Sequence, residues 1–128
     1  MANEYAHPEY LVDTAWVDSH LSDSSVRVVE SDEDYLLYET GHIPGAVNFD
    51  WVNAIDRAHS LRLKPTADLK QALSLLGVTP DKEVITYCHT HHRSAHTYLV
   101  LKNLGYSRVR GYPGSWSEWG NSADTPVE

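Results

Sequence analysis

Cysteine is almost missing from this 128-residue chain, which holds Cys88 and no other. A single thiol excludes an internal disulfide and fits a reducing compartment, so a cytoplasmic location is expected. Methionine and phenylalanine also occur once each. No apolar run approaches the roughly 18 residues of a membrane-spanning helix. The first ten residues have neither a basic stretch nor an apolar one, so no secretory leader is expected. Basic residues are scarce in the first half. Residues 1–50 hold eleven acids and one base, Arg27, whereas residues 51–128 hold seven acids and nine bases. The net charge of −8 argues against nucleic acid as a partner. An anionic substrate is expected in the second half, where the bases lie. The plainer alternative is an acidic, solvated face.

What is present suits one globular domain over residues 1–128. The chain is 41% hydrophobic and holds eight Tyr and four Trp, which is too apolar for disorder. Asp13 or Thr14 is expected to cap a short helix over Ala15–Leu21. Val26–Val29 reads as a buried strand, and Asp32–Tyr38 as an acidic loop or short helix. Gly41–Gly45 is a turn cluster, followed by a second strand over Ala46–Phe49. Asp50–Lys64 shows no clear period. Thr66 is expected to cap a helix to Leu76 that Gly77 ends. Glu83–Tyr87 is a strand. Ser94 is expected to cap a further helix, with Leu99, Leu101 and Leu104 as its apolar residues and Gly105 as its stop. Arg108–Gly111 is a last strand and Ser115–Trp119 a final helical turn, with Trp116 expected in the core. Strands that alternate with helices imply crossover connections. The fold class is therefore α/β, with a central, mostly parallel β-sheet flanked by helices on both faces.

The chemistry concentrates at Cys88, which follows a strand and precedes a helix. Ligands of open α/β sheets bind at that edge, and a helix N-terminus offers unpaired N–H groups there. A cradle formed by His89, Thr90, His91, His92 and Arg93 would favour a thiolate and hold an oxyanion. Arg93 adds a permanent charge. A buried structural cysteine is the competing reading. The polar residues on its C-terminal side count against it. The histidines invite a metal reading, since His92 and His96 are four apart on a helix. No second cysteine or acid cluster completes a ligand set with Cys88, His89 and His91, so no metal and no other cofactor is expected. Protonated loop histidines would instead add positive potential around the cradle.

Three stretches together resemble the rhodanese family of thiosulfate and mercaptopyruvate sulfurtransferases. They are Tyr38–Ala46 (with Gly-His-Ile-Pro-Gly), Cys88–Ser94, and Val109–Trp119 (with Gly-Ser-Trp-Ser-Glu-Trp). The Cys-His-Thr-His-His-Arg loop is similar to that of bacterial two-domain sulfurtransferases. The resemblance implies the rhodanese-like fold and a ping-pong reaction. Cys88 would take the outer sulfur of a thiosulfate-like donor as a persulfide and pass it to cyanide or a thiol. It also implies backbone roles for His89 to Arg93 and structural roles for the His42–Ala46 and Gly114–Trp119 segments.

Related phosphatases of this fold place five residues between cysteine and arginine. Here there are four, His89 to His92, which favours a sulfane sulfur over a phosphate. The family often carries Asp-x-Arg after the first core strand, where this chain has Glu30-Ser31-Asp32. Donor binding would then fall to Arg57 or Arg62. That departure also motivates a second reading, a rhodanese-fold module that holds an anion or persulfide and turns over slowly. Phosphatase or arsenate reductase activity is the third. Residues 5–50 resemble the non-catalytic first domain of a tandem sulfurtransferase and residues 51–128 the catalytic second. Either the chain is an engineered or recombined single domain, or single-domain relatives look this way. In both cases the active-site edge is expected to be open to a partner domain or protein.

Overall fold

The computed structural model describes residues 8–31, 38–39, 41–49, 55–56, 62–63, 65–88 and 92–128. For Pro8, Ile55, Asp56, Arg62, Leu63, His92 and Arg93 the description is of the backbone alone. Among the described residues there are six strands: β1 (Val26–Glu30), β2 (Val47–Asn48), β3 (Ile55–Asp56), β4 (Arg62–Leu63), β5 (Glu83–Tyr87) and β6 (Val109–Gly111). The α-helices whose bounds lie within the described residues are α1 (Thr14–Ser19), α2 (Thr66–Leu75), α3 (His92–Asn103) and α4 (Ser115–Trp119). Four strands form one sheet in the order β2-β1-β5-β6, and every pairing in it is parallel. Val26 lies opposite Glu83 and Glu30 opposite Tyr87 across its central pair. Leu11 adds an isolated parallel bridge to Gly111. Among the described residues, no helix is long and apolar enough to cross a membrane.

Successive side chains of a strand point to opposite faces of the sheet, and here that alternation separates two cores. Val29, Val84 and Val109 pack with Leu69 and Leu73 of α2 and with Val100, Leu101 and Leu104 from α3 onward. Val28, Ile85 and Tyr87 pack on the other side with Val17 of α1 and Trp119 of α4. Strands buried on both faces are the mark of a parallel sheet between two helical layers.

Local chemistry sets the helix limits. Asp13, not Thr14, caps α1; its carboxylate accepts the Trp16 N–H at 2.9 Å. Pro65, not Thr66, is the N-cap of α2, and no side chain caps it. The stops fall as the sequence implies. Gly77 (φ 77°) and Gly105 (φ 94°) take the left-handed conformation that only glycine adopts without strain. Around each, two backbone bonds close the helix end: Gly77 N–H to Ser74 O and Val78 N–H to Leu73 O, then Gly105 N–H to Lys102 O and Tyr106 N–H to Leu101 O.

Leu99 is 66% exposed and belongs to the solvent side of α3. Two expectations are corrected. Trp116 is half-buried, and the fully buried indole is that of Trp119. The aperiodic stretch after Asp50 contains an antiparallel pair, β3 with β4. Two-residue strands are too short to show a period. The expected acidic segment at 32–37 lies outside the described residues.

The C-terminal segment returns to the 41–45 turn. Glu128 and His42 exchange two backbone hydrogen bonds, of 3.0 and 3.3 Å. The Glu128 carboxylate accepts the Gly45 N–H at 2.8 Å and lies 3.3 Å from His42 Nε2. The Gly45 amide, with help from His42, holds that carboxyl below its ordinary value of 4.5. A depressed acid stabilises the folded state above its unfolded value and loses that contribution as pH falls. The Gly45 amide resonance should therefore titrate with a midpoint below 4.5, measured by NMR. Replacing Trp119 by Ala should cost about 3–5 kcal/mol in urea unfolding, and Trp116→Ala less.

Candidate functional site at the end of β5

All four strands of the main sheet run the same way, so their carboxyl ends meet at one edge. The ladder continues there past the strands. Ser31 N–H donates to Tyr87 O at 2.9 Å, and Phe49 N–H to Glu30 O at 2.8 Å. In a parallel ladder this pattern sets Phe49, Ser31 and Cys88 side by side in one row. Cys88 is 2% exposed and follows β5 directly.

The backbone of Cys88 is gripped from the opposite layer. Its N–H donates to Ser115 Oγ at 3.3 Å, and its carbonyl accepts the Trp116 N–H at 2.9 Å. Ser115 Oγ in turn donates to Tyr112 O at 2.8 Å. Ser115 is completely buried and sits at φ 52°, a left-handed conformation unusual outside glycine. A small side chain tolerates that backbone, and the hydroxyl uses it to join β6 to the cysteine. One residue earlier, the Tyr87 hydroxyl accepts the Ile43 N–H at 3.2 Å, which ties the 41–45 turn to the same strand end.

Helix α3 starts at His92, two residues before the expected cap at Ser94. Ser94 lies inside the first turn and is completely buried. His92 and Arg93 are therefore the first two helical residues, where backbone N–H groups have no partner within the helix. His89, Thr90, His91 and Arg57 lie outside the described residues. Arg62 is in β4, known by its backbone. Burial pushes the His96 imidazole below the usual histidine range, which keeps it neutral at neutral pH. Among the described residues, no group of three or more His, Cys, Asp or Glu could hold a metal. In sequence Ser115 has the look of a structural residue and Ser31 of a departure from the Asp-x-Arg motif. The Gly-Ser-Trp context was a signal for the first, but its contact with Cys88 is tertiary.

Residues 13–122 match the family described as Rhodanese-like domain. The chain belongs to the rhodanese family. It is 61% identical over 93 residues to a thiosulfate sulfurtransferase of Pseudomonas aeruginosa, covering 73% of this chain and 34% of that protein. It is 57% identical over 96 residues to a thiosulfate sulfurtransferase of Azotobacter vinelandii, covering 75% and 35%. This rhodanese-like chain thus spans about a third of the length of these curated relatives. A 3-mercaptopyruvate sulfotransferase structure from Escherichia coli has the same fold. The TM-score is 0.85 at 24% identity, over 93% of this chain and 50% of that one.

Ser115→Ala leaves two buried backbone groups, Cys88 N–H and Tyr112 C=O, without that partner. It should lower stability by about 1–3 kcal/mol in urea unfolding. Ser115→Gly should recover only part of the loss, because it relieves the left-handed backbone and still lacks the hydroxyl.

Proposed function

We propose that this rhodanese-like domain transfers sulfane sulfur from a thiosulfate-like donor to cyanide or a thiol, with Cys88 as the nucleophile and carrier. The observation that supports this reading is the position of Cys88. It is the lone thiol of the chain, set between the carboxyl end of a central parallel strand and the start of a twelve-residue helix, with its backbone held on both sides. The helix start supplies N–H donors and the positive end of the backbone dipoles, which favour an anion at that point. No dedicated base is then needed to make the sulfur nucleophilic.

The reaction has two displacements at sulfur. The Cys88 thiolate attacks the outer sulfur of thiosulfate. A Cys–S bond forms, the S–SO3 bond breaks, and sulfite leaves with the electron pair. A charge of minus three on the reactants becomes minus one on the persulfide and minus two on sulfite. Cyanide or a thiolate then attacks the outer sulfur, and the Cys88 thiolate departs. His89, Thr90, His91, His92 and Arg93 form the cradle in this scheme, through backbone N–H groups and the Arg93 charge. Arg57 and Arg62 are the candidates for binding the sulfonate end of the donor. The four-residue spacing between Cys88 and Arg93 favours sulfur over a tetrahedral phosphate. A partner domain or protein over the open edge is consistent with the longer relatives.

Intact mass of the purified protein tests this. Thiosulfate should add about 32 Da, cyanide should remove it, and Cys88→Ser should gain nothing. No gain with thiosulfate or mercaptopyruvate, or full transfer activity in Cys88→Ala, would overturn the reading.

A further inference from the structure

The ladder between β5 and β6 runs regularly and changes at Cys88. Val84 N–H donates to Arg108 O at 2.8 Å, and Tyr112 N–H to Thr86 O at 3.0 Å. Thr86 opposite Gly111 is the last pair of that register. Bonds in a parallel ladder are evenly spaced, so the next two follow from those before them. Cys88 N–H would donate to Tyr112 O, and Gly114 N–H to Cys88 O. Other partners are found. The Ser115 hydroxyl stands between the first pair: it accepts Cys88 N–H at 3.3 Å and donates to Tyr112 O at 2.8 Å. Two bonds in series thus span what one of about 2.9 Å would close. Trp116 N–H, two residues late, takes Cys88 O at 2.9 Å. The chain after β6 therefore loops out two residues, and the inserted hydroxyl holds the Cys88 backbone farther from Tyr112 than a ladder bond would. Tyr112 is itself anchored. It is completely buried, and its ring meets that of Trp119 edge-on at 6.4 Å. Ser115 takes φ 52° at this insertion, and backbone held in so sparsely populated a region clusters where a site uses it.

We propose that Ser115 is a positioning residue for sulfur transfer: its hydroxyl, inserted in the ladder, sets where Cys88 leaves the sheet and so where its sulfur meets donor and acceptor. The inference rests on the proposed role of Cys88. Both half-reactions are displacements at sulfur, which need the attacking atom, the transferred sulfur and the leaving group in line. Sγ of Cys88 is the attacking atom in the first and the leaving atom in the second, so a hold on its backbone serves both alike. The Ser115 hydroxyl is completely buried and spent on two backbone groups. It therefore acts on the rate at saturation and not on the half-saturating concentration of donor. Without it, Cys88 N–H and Tyr112 C=O are left facing each other across the gap. An unmade buried hydrogen bond draws such a pair together, and any closure carries Cys88 toward Tyr112 and its sulfur out of place. A side chain that only stabilised the fold would lower the melting temperature and leave the rates of the folded molecule alone.

Thr125 provides the control. Its hydroxyl donates to Trp119 O at 2.6 Å, so it supports the same helix α4 and has no bond to Cys88. The experiment follows single-turnover loading by thiosulfate, then discharge by cyanide, in wild type, Ser115→Ala, Ser115→Gly and Thr125→Ala, each well below its melting temperature. Both Ser115 variants should load and discharge about tenfold more slowly at saturation, inside the roughly hundredfold that a misplacement of about 1 Å can cost. Their half-saturating thiosulfate should match wild type. Thr125→Ala should melt lower and keep both rates. Should Ser115→Ala fail to fold, Ser115→Gly carries the test, because glycine takes the left-handed backbone without strain. Wild-type rates in the Ser115 variants, equal slowing in Thr125→Ala, or a changed half-saturation at an unchanged maximal rate would overturn the assignment. If wild type takes up no sulfur, the proposed function fails instead. The pH profile of Cys88 alkylation by iodoacetamide then decides the placement: a profile displaced in Ser115→Gly alone supports it, and any other pattern overturns it.

Discussion

Val84 and Ile85 are neighbours on β5, both wholly buried, and they belong to different cores. Both can be buried because β5 pairs along its whole length with β1, from Val26 opposite Glu83 to Glu30 opposite Tyr87. A shift of one residue in that register would move Val28, Val29, Val84 and Ile85 to the wrong layers at once. Each helical layer presupposes this pairing. Leu69 and Leu73 of α2 require Val29 and Val84 on their side, and Trp119 of α4 requires Ile85 and Tyr87 on the other.

The same register assembles the candidate site. Because the strands are parallel, residues far apart in the chain finish at a common edge. Ser31 arrives there from β1, Cys88 from β5 and Ser115 from the segment after β6. The cysteine is then held asymmetrically. Its backbone is fixed from the α4 layer through Ser115 and Trp116. Helix α3 begins four residues further on, at His92.

The fold was legible where a signal was local and strong. The short β-branched run within Glu83–Tyr87 reads as a strand buried on both faces, and Gly77 and Gly105 mark true helix ends because glycine alone takes their left-handed geometry without strain. The start of α3 was misplaced. Ser94 looks like a cap in sequence, but tertiary packing buries it in the first turn and the helix begins at His92. Leucine alone does not say which side of a helix meets the sheet, and Leu99 lies on the solvent side of α3. Trp116 and Trp119 share a motif, and only packing separates the half-buried ring from the buried one. For the site, the position of Cys88 was legible from the strand-to-helix transition. The contacts of Tyr87 and Ser115 are not, because each depends on a neighbour at least 27 positions away in the chain.

A chain with one cysteine also lacks a resolving thiol. Sulfur-based redox proteins commonly protect an oxidised cysteine by condensing it with a second one nearby. Cys88 has no such internal recourse. A sulfenic acid formed on it must be rescued by a thiol from outside, or it continues to the sulfinic acid, where the change is permanent. With Cys88 as the sulfur carrier, only a thiol from outside the chain could return its sulfenic acid to the reduced state. Peroxide without such a thiol should retire the molecule rather than cycle it.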